Sequence, residues 1–304
     1  MQRLGIYLFS LALTLGGYAA RAAGDTKAAE LLAQARAALG GEAKLSKVQG
    51  LSAAGTYQRE MGDRQLSGEL TIDLQLPDKM VRTDSMNPMG DATIVMLQGI
   101  NGDQVLRNSR TIGGGPGMMI RVAPPATGSD AEGQALRNAR AELARFTLAF
   151  LLASPSPMPV EFTYGGEAEA PDSDVAKADV IDAKGQGSFA ARIFLDKKSH
   201  RPLMLQYRGA APRMVMQTQT RRGDGPPDPN RAHRDADEAA GRAAAQPPPQ
   251  IVDIQMFLDD YKPVDGVMLP HHISRSVDGK PNEEWTFKTI KLNPAFKPDA
   301  FSGK

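Results

Sequence analysis

The chain has 304 residues, with 36 basic and 35 acidic side chains, 30 glycines, 22 prolines and no cysteine. The near-neutral balance, with no basic cluster interleaved with aromatics, argues against nucleic acid as a partner. The missing cysteine excludes disulfides, thiolate metal sites and cysteine nucleophiles, and the length allows one large domain or two small ones.

Met1-Gln2-Arg3 carries one positive charge, Leu4 to Ala19 none, and Ala20-Arg21-Ala22 offers small residues where a signal peptidase reads. Residues 1–23 therefore read as a secretory signal peptide; Gly16-Gly17 and the small-residue end favour cleavage over an uncleaved anchor. Its loss removes Arg3 and Arg21 and leaves 34 basic against 35 acidic residues, a formal charge of −1. No later apolar run is long enough to span a membrane, so the expectation is an exported protein that is not an integral membrane protein.

Helical spacing of Ala28, Leu31, Leu32, Ala35, Ala38 and Leu39 predicts a helix from Thr26 to Leu39, ended by Gly40-Gly41. Period-two segments follow. In Leu66–Leu76 the residues Leu66, Leu70, Ile72, Leu74 and Leu76 share one face, as in a half-buried antiparallel strand. Further strands are expected over 51–59, 80–85, 92–98 and 103–108, with a turn at Gly99–Gly102. After a Gly- and Pro-rich loop, Ser129 and Glu132 form a capping-box pattern. They open a helix whose stripe is Leu136, Ala139, Leu143, Phe146, Thr147 and Phe150, with Pro155 beyond its end.

Strands resume over 160–164, 175–182, 189–196 and 202–208. Residues 209–250, rich in Pro, Ala and mixed charge, are expected to be a disordered insertion between two neighbouring strands. Strands over Ile251–Tyr261, 266–276 and 283–292 finish the chain. Short turns between strands imply an antiparallel, strongly curved sheet. The fold class is α+β: a curved, incomplete antiparallel β-barrel with two main helices covering its concave apolar face.

Several features invite chemistry. His271 and His272 are two of the four histidines, but neighbours on a strand point to opposite faces, so they do not form a metal pair. No spacing supports a proton relay from Asp259 or Asp260 to either ring. Gly113-Gly114-Gly115-Pro116-Gly117 lacks the lysine and the strand-to-helix context of a phosphate loop and reads as a hairpin tip, or second as a lid. Asp172/Asp174 and Glu283/Glu284 read as solvated faces and turns. The 14 methionines lack the tandem Met/His pattern of copper sites and read first as core, second as a pliable apolar cavity. No catalytic residue, metal site or cofactor is expected, and the chain does not read as an enzyme.

Three segments carry a resemblance: Ala38–Tyr57 (ALGGEAKLSKVQGLSAAGTY), Arg192–Arg208 (RIFLDKKSHRPLMLQYR) and Val252–Ile273 (VDIQMFLDDYKPVDGVMLPHHI), the last followed by Glu283–Phe296. Together they resemble the exported domains of the bacterial outer-membrane lipoprotein carrier family, the LolA-like group, across most of residues 26–296 apart from 209–250. The resemblance implies a single domain over 24–304, an incomplete barrel closed by helices, and a periplasmic protein that accommodates acyl chains of a lipid or acylated lipoprotein. The alternative it implies is an envelope sensor or protein-interaction module without carrier activity, its 209–250 segment contacting an envelope protein partner. The expected ligand-lining residues are Leu70, Ile72, Leu74, Phe146, Phe150, Met256, Leu258, Trp285 and Phe287, each also a candidate for plain core.

Overall fold

The computed structural model describes residues 15–62, 64–89, 92–113, 118–122, 129–171, 177–211, 216–220 and 250–303. Helix α1 (Leu15–Ala38) leads to the short α2 (Glu42–Leu45) and then to a five-strand meander: β1 (Gly50–Met61), β2 (Arg64–Gln75), β3 (Lys79–Met89), β4 (Ala92–Asn101) and β5 (Gln104–Gly113). β6 (Met118–Val122) and α3 (Ser129–Leu151) precede a second series, β7 (Val160–Glu169), β8 (Lys177–Gly185), β9 (Ala190–Asp196) and β10 (Pro202–Ala210). β11 (Met216–Thr220), β12 (Ile251–Val264), β13 (Val267–Val277) and β14 (Lys280–Leu292) complete the order.

Twelve strands form one sheet in the order β5-β4-β3-β2-β1-β14-β13-β12-β10-β9-β8-β7. Every pairing is antiparallel, and β14 zips the two meanders together from Leu51↔Leu292 to Arg59↔Glu283. The edges β5 and β7 do not meet, so the sheet stays open, and α1 packs along β7. The inward positions follow the alternation read from the sequence: Leu70, Ile72 and Leu74 on β2, and Val252, Ile254, Met256 and Leu258 on β12, are all buried in one core with α1 and α3.

The curvature follows from α3. Arg140 pairs with Asp103 in the β4–β5 turn, and Arg145 lies 4.0 Å over the Tyr207 ring of β10. Those two arginines are separated by about 7 Å of helix rise. Seven strand spacings separate β4 from β10, about 34 Å in a flat sheet, more than two arginine side chains add to the helix. The sheet must therefore curl around α3, giving the expected half-barrel with its helix-covered inner face.

The local reasons are visible at a few positions. β1 and β14 shift register at Ala54/Gly55, where a Cβ on Gly55 would strike the Thr286 carbonyl oxygen and lie 2.7 Å from Phe287 Cα. Glycine lets β14 approach, and so sets the depth of Trp285 and Phe287. Gly55→Ala is expected to destabilise the fold by about 2 kcal/mol, read as a lower urea midpoint at unchanged slope; an unchanged midpoint would contradict this account. After β14, Asn293 Oδ1 accepts from the backbone N–H groups of Gln49 and Gly50. The C-terminal tail then lays Phe301 and Phe296 on Val81 and Leu106 of the outer face.

Some boundaries differ from expectation. The turn read at Gly99–Gly102 sits at Gly102-Asp103, because Asn101 still pairs with Gln104 and Gly102 takes φ 61°. The helix expected from Thr26 begins at Leu15, so its backbone continues into the segment read as a signal peptide. Within the 209–250 segment, β10 runs through Ala210 and β11 pairs with β6. β10 and β12 on its two sides are neighbours in the sheet; residues 221–249 lie outside the described residues.

Candidate functional site

All nine apolar residues named from the sequence come together. Leu70, Ile72 and Leu74 on β2, Met256 and Leu258 on β12, Trp285 and Phe287 on β14, and Phe146 and Phe150 on α3 are each at most 4% exposed and belong to one cluster. Phe146 and Phe150 stack at 4.9 Å between ring centroids, and Phe146 stacks on Trp285 at 6.0 Å. Phe150 meets the edge of Phe287 at 6.1 Å. These rings pin the C-terminal half of α3 onto β14. Two depressions, of about 250 and about 330 Å³, are lined mainly by polar residues such as Gln58, Gln255, Asp182 and Arg192, and neither reaches these nine side chains. The apolar face is packed shut beneath α3.

Beside the aromatic pin lies a buried ion cluster. On β3 the inward positions read Met80, Arg82, Asp84, Met86, with Ile72 opposite Arg82 and Leu70 opposite Asp84. Glu283 on β14 stands between Arg59 of β1 and Arg275 of β13. Arg59 Nη2 donates to Glu283 Oε1 at 2.6 Å, and Arg82 donates to the same oxygen. Arg82 also grips Asp84 through Nε at 2.7 Å and Nη2 at 2.9 Å. Arg275 lies 3.6 Å from Glu283 Oε2 and donates to the Tyr207 hydroxyl at 2.9 Å.

Aromatic faces complete the lining. Arg82 and Arg275 lie 4.8 and 5.5 Å from the Trp285 centroid, and Arg59 lies 5.2 Å from that of Tyr57. Cation–π attraction adds to the ion pairing here.

The electrostatics are one-sided. Burial alone would raise the Glu283 pKa, but the charges of Arg82, Arg59 and Arg275 and the Arg82 hydrogen bond hold it down at about 2. Burial alone would lower that of Arg82, but Glu283 and Asp84 more than reverse this and keep the guanidinium charged. Burial, with the Asp84 charge, pushes the Tyr57 phenol up to about 12, so it remains an O–H donor. On the sheet, the three guanidinium groups of Arg59, Arg82 and Arg275 face the two carboxylates of Asp84 and Glu283. Tyr57 Oη, Trp285 Nε1 and Arg275 Nε are buried there without a hydrogen-bond partner.

This cluster corrects one expectation and was missing from the others. Glu283, read as solvated, is 4% exposed; Glu284, its neighbour on the other face, is exposed. The available signal was phase: Arg82, Asp84, Arg275 and Glu283 occupy the same alternating positions as Met80, Ile273 and Trp285. The histidines stay apart. His271 is buried, with Nδ1 3.0 Å from the Leu269 carbonyl oxygen, while His272 lies opposite Asp259 on the other face. Gly114–Gly117 and Asp172/Asp174 lie outside the described residues. Among the described residues no group of His, Asp and Glu side chains has the arrangement of a metal site, and no helix is long and apolar enough to cross a membrane.

The geometry defines the class first: an open antiparallel half-barrel whose inner apolar face is covered by α3 and bordered by buried arginines. No family model and no curated protein matches the chain. Among solved structures it is similar to a LolA superfamily protein from Nitrosomonas europaea (TM-score 0.45, 10% identity, covering 90% of this chain and 96% of that one). It is also similar to a DUF1329 family protein from Desulfovibrio piger (0.44, 10%, covering 92% and 96%). A third likeness is to a putative outer membrane lipoprotein-sorting protein domain from Vibrio parahaemolyticus (0.43, 9%, covering 91% and 97%).

Proposed function

We propose that the protein is a lipid-binding, carrier-like protein of the cell envelope, exported to the periplasm, that takes up acyl chains by reversible burial on the inner face of its sheet. The observation that carries this reading is the cover. The continuous apolar floor of Leu70, Ile72, Leu74, Met256, Leu258, Trp285 and Phe287 meets α3 through its buried C-terminal half, from Leu143 onward. The preceding half, with Ala131, Ala135, Ala139 and Ala141, is only half-buried. It is tied to the sheet rim by Arg140 and an Asp103 side chain that is 85% exposed, a pair worth at most about 1 kcal/mol.

An acyl chain gains about 0.8 kcal/mol per CH₂ removed from water. A long chain can therefore replace the apolar contacts that α3 gives up as it lifts, and the free energy difference between covered and loaded states stays small. The mechanism needs no bond-making step, and no residue is assigned a catalytic role.

Trp285 is the chain's single tryptophan, and it sits in the floor itself. Delipidated protein titrated with a bromine-labelled hexadecanoyl chain is expected to lose most of its tryptophan emission, with a matching mass adduct under native ionisation. Unquenched emission and a bare mass would overturn the lipid reading and leave the envelope-interaction module, with the 209–250 segment as its contact.

A further inference from the structure

Resting on that lipid reading, we infer that the ligand is an amphiphile with an anionic head, carboxylate or phosphate, whose head sits among Arg59, Arg82 and Arg275 while its chain runs along the apolar floor. The charge balance comes first. On the sheet three guanidinium groups share two carboxylates in a buried place; Glu142 of α3, whose charge also acts on Arg275, is matched by its own ion pair with Arg145, so one cation stays uncompensated, which is costly when buried. A structural ion cluster would close that balance; this one leaves room for one more negative charge.

The orphan atoms point the same way. Trp285 Nε1 and Arg275 Nε are donors without acceptor capacity, both buried and unpartnered, and the Tyr57 hydroxyl joins them. Trp285 is fully buried and Tyr57 is 1% exposed. A buried donor left unmatched costs roughly 1–3 kcal/mol; an oxyanion accepts from several donors at once. Arg145 Nε of α3 is likewise buried and unpartnered, and Arg145 lies over the Tyr207 ring that Arg275 holds by its hydroxyl.

The third observation is the polarity of β14. Glu283, Trp285 and Phe287 point inward in succession, each about 7 Å from the next. The floor therefore passes from ionic to apolar within one indole. Trp285 belongs to both parts, with Arg82 at 4.8 Å and Phe146 at 6.0 Å from its ring. That is the shape of an amphiphile rather than of a bare hydrocarbon or a bare anion.

The test compares hexadecanoate, hexadecanol and inorganic phosphate on the delipidated full chain, read by Trp285 emission and native mass. Hexadecanoate is expected to bind at least about ten-fold more tightly than hexadecanol, phosphate alone far more weakly than either, and Arg275→Gln to bring the hexadecanoate-to-hexadecanol ratio close to one, with Arg275→Lys keeping part of it. Equal affinities for the two amphiphiles in the wild-type protein would overturn the anionic-head assignment while leaving lipid binding intact. Phosphate binding as tightly as hexadecanoate would overturn it in favour of a free-anion site. Binding of neither amphiphile would overturn the lipid reading itself. The wild-type comparison decides even if Arg275→Gln does not fold.

Discussion

Arg82→Met is expected to lower the stability of the fold by about 3–5 kcal/mol at neutral pH, the usual cost of stripping one partner from a buried ion pair. Arg82 is the hub: it holds Glu283 through a shared oxygen and Asp84 through a two-point grip, at 8% exposure. Methionine fills the volume beside Met80 and leaves both carboxylates buried with Arg59 as their nearest cation, 2.6 Å from Glu283 and 3.3 Å from Asp84.

The acid response should also weaken. In the wild-type protein the Glu283 pKa is held at about 2, below its ordinary value of 4.5. Its contribution to stability is therefore complete above about pH 4.5 and lost as the pH falls through 2. Without Arg82 the charge and hydrogen bond that most oppose burial are gone, so the folded-state pKa of Glu283 rises and the variant has less stability to lose in acid than the wild type. Urea midpoints at pH 7, 5 and 4 read this directly: the gap between wild type and variant should narrow on acidification. A gap that is absent, or constant with pH, would show that the cluster does not carry the charges assigned to it. Adding Glu283→Gln to Arg82→Met should recover part of the loss, because the two changes share one network.

The fold was legible because alternation is a local signal. Leu66 to Leu76 names its inward face within a single strand, and the meander follows from turns too short for crossovers. The apolar part of the site came with it, since residues such as Ile72, Trp285 and Phe287 are core formers at the inward positions of that alternation.

The ion cluster was hidden by the same rule. A charged residue in a strand is ordinarily read as facing water, and only its phase says otherwise. Glu283 and Glu284 are adjacent, so one of them must face inward. Arg59 and Arg82, the partners of Glu283, lie some 200 positions away, and no pattern within a window reaches that far. β6 and β11 failed for a related reason: each is five residues long, and they pair across the whole of α3 and β7 to β10 with no turn between them to announce it.

Phe150→Ala is the substitution that separates a displaceable α3 from a permanent one. Its ring is fully buried, stacked on Phe146 and edge-on to Phe287, and truncation is expected to cost about 3–5 kcal/mol. At roughly 2–4 °C per kcal/mol for a domain near this size, the melting temperature should fall by about 10 °C. If α3 and the acyl chain compete for the same floor, the lost energy comes out of the covered state, and the apparent affinity rises with the fraction of uncovered molecules. Each 1.4 kcal/mol of lost docking is a factor of ten, so acyl affinity should increase at least ten-fold while stability drops. Leu74→Ala, on β2 in the same apolar cluster and also fully buried, carries a comparable cost of about 2–5 kcal/mol but removes floor that the ligand itself needs, so its affinity should fall. Opposite signs of affinity at similar losses of stability identify α3 as the cover. A parallel fall in both variants would mean that α3 stays in place and that Phe150 lines the bound chain, which would remove displacement from the mechanism.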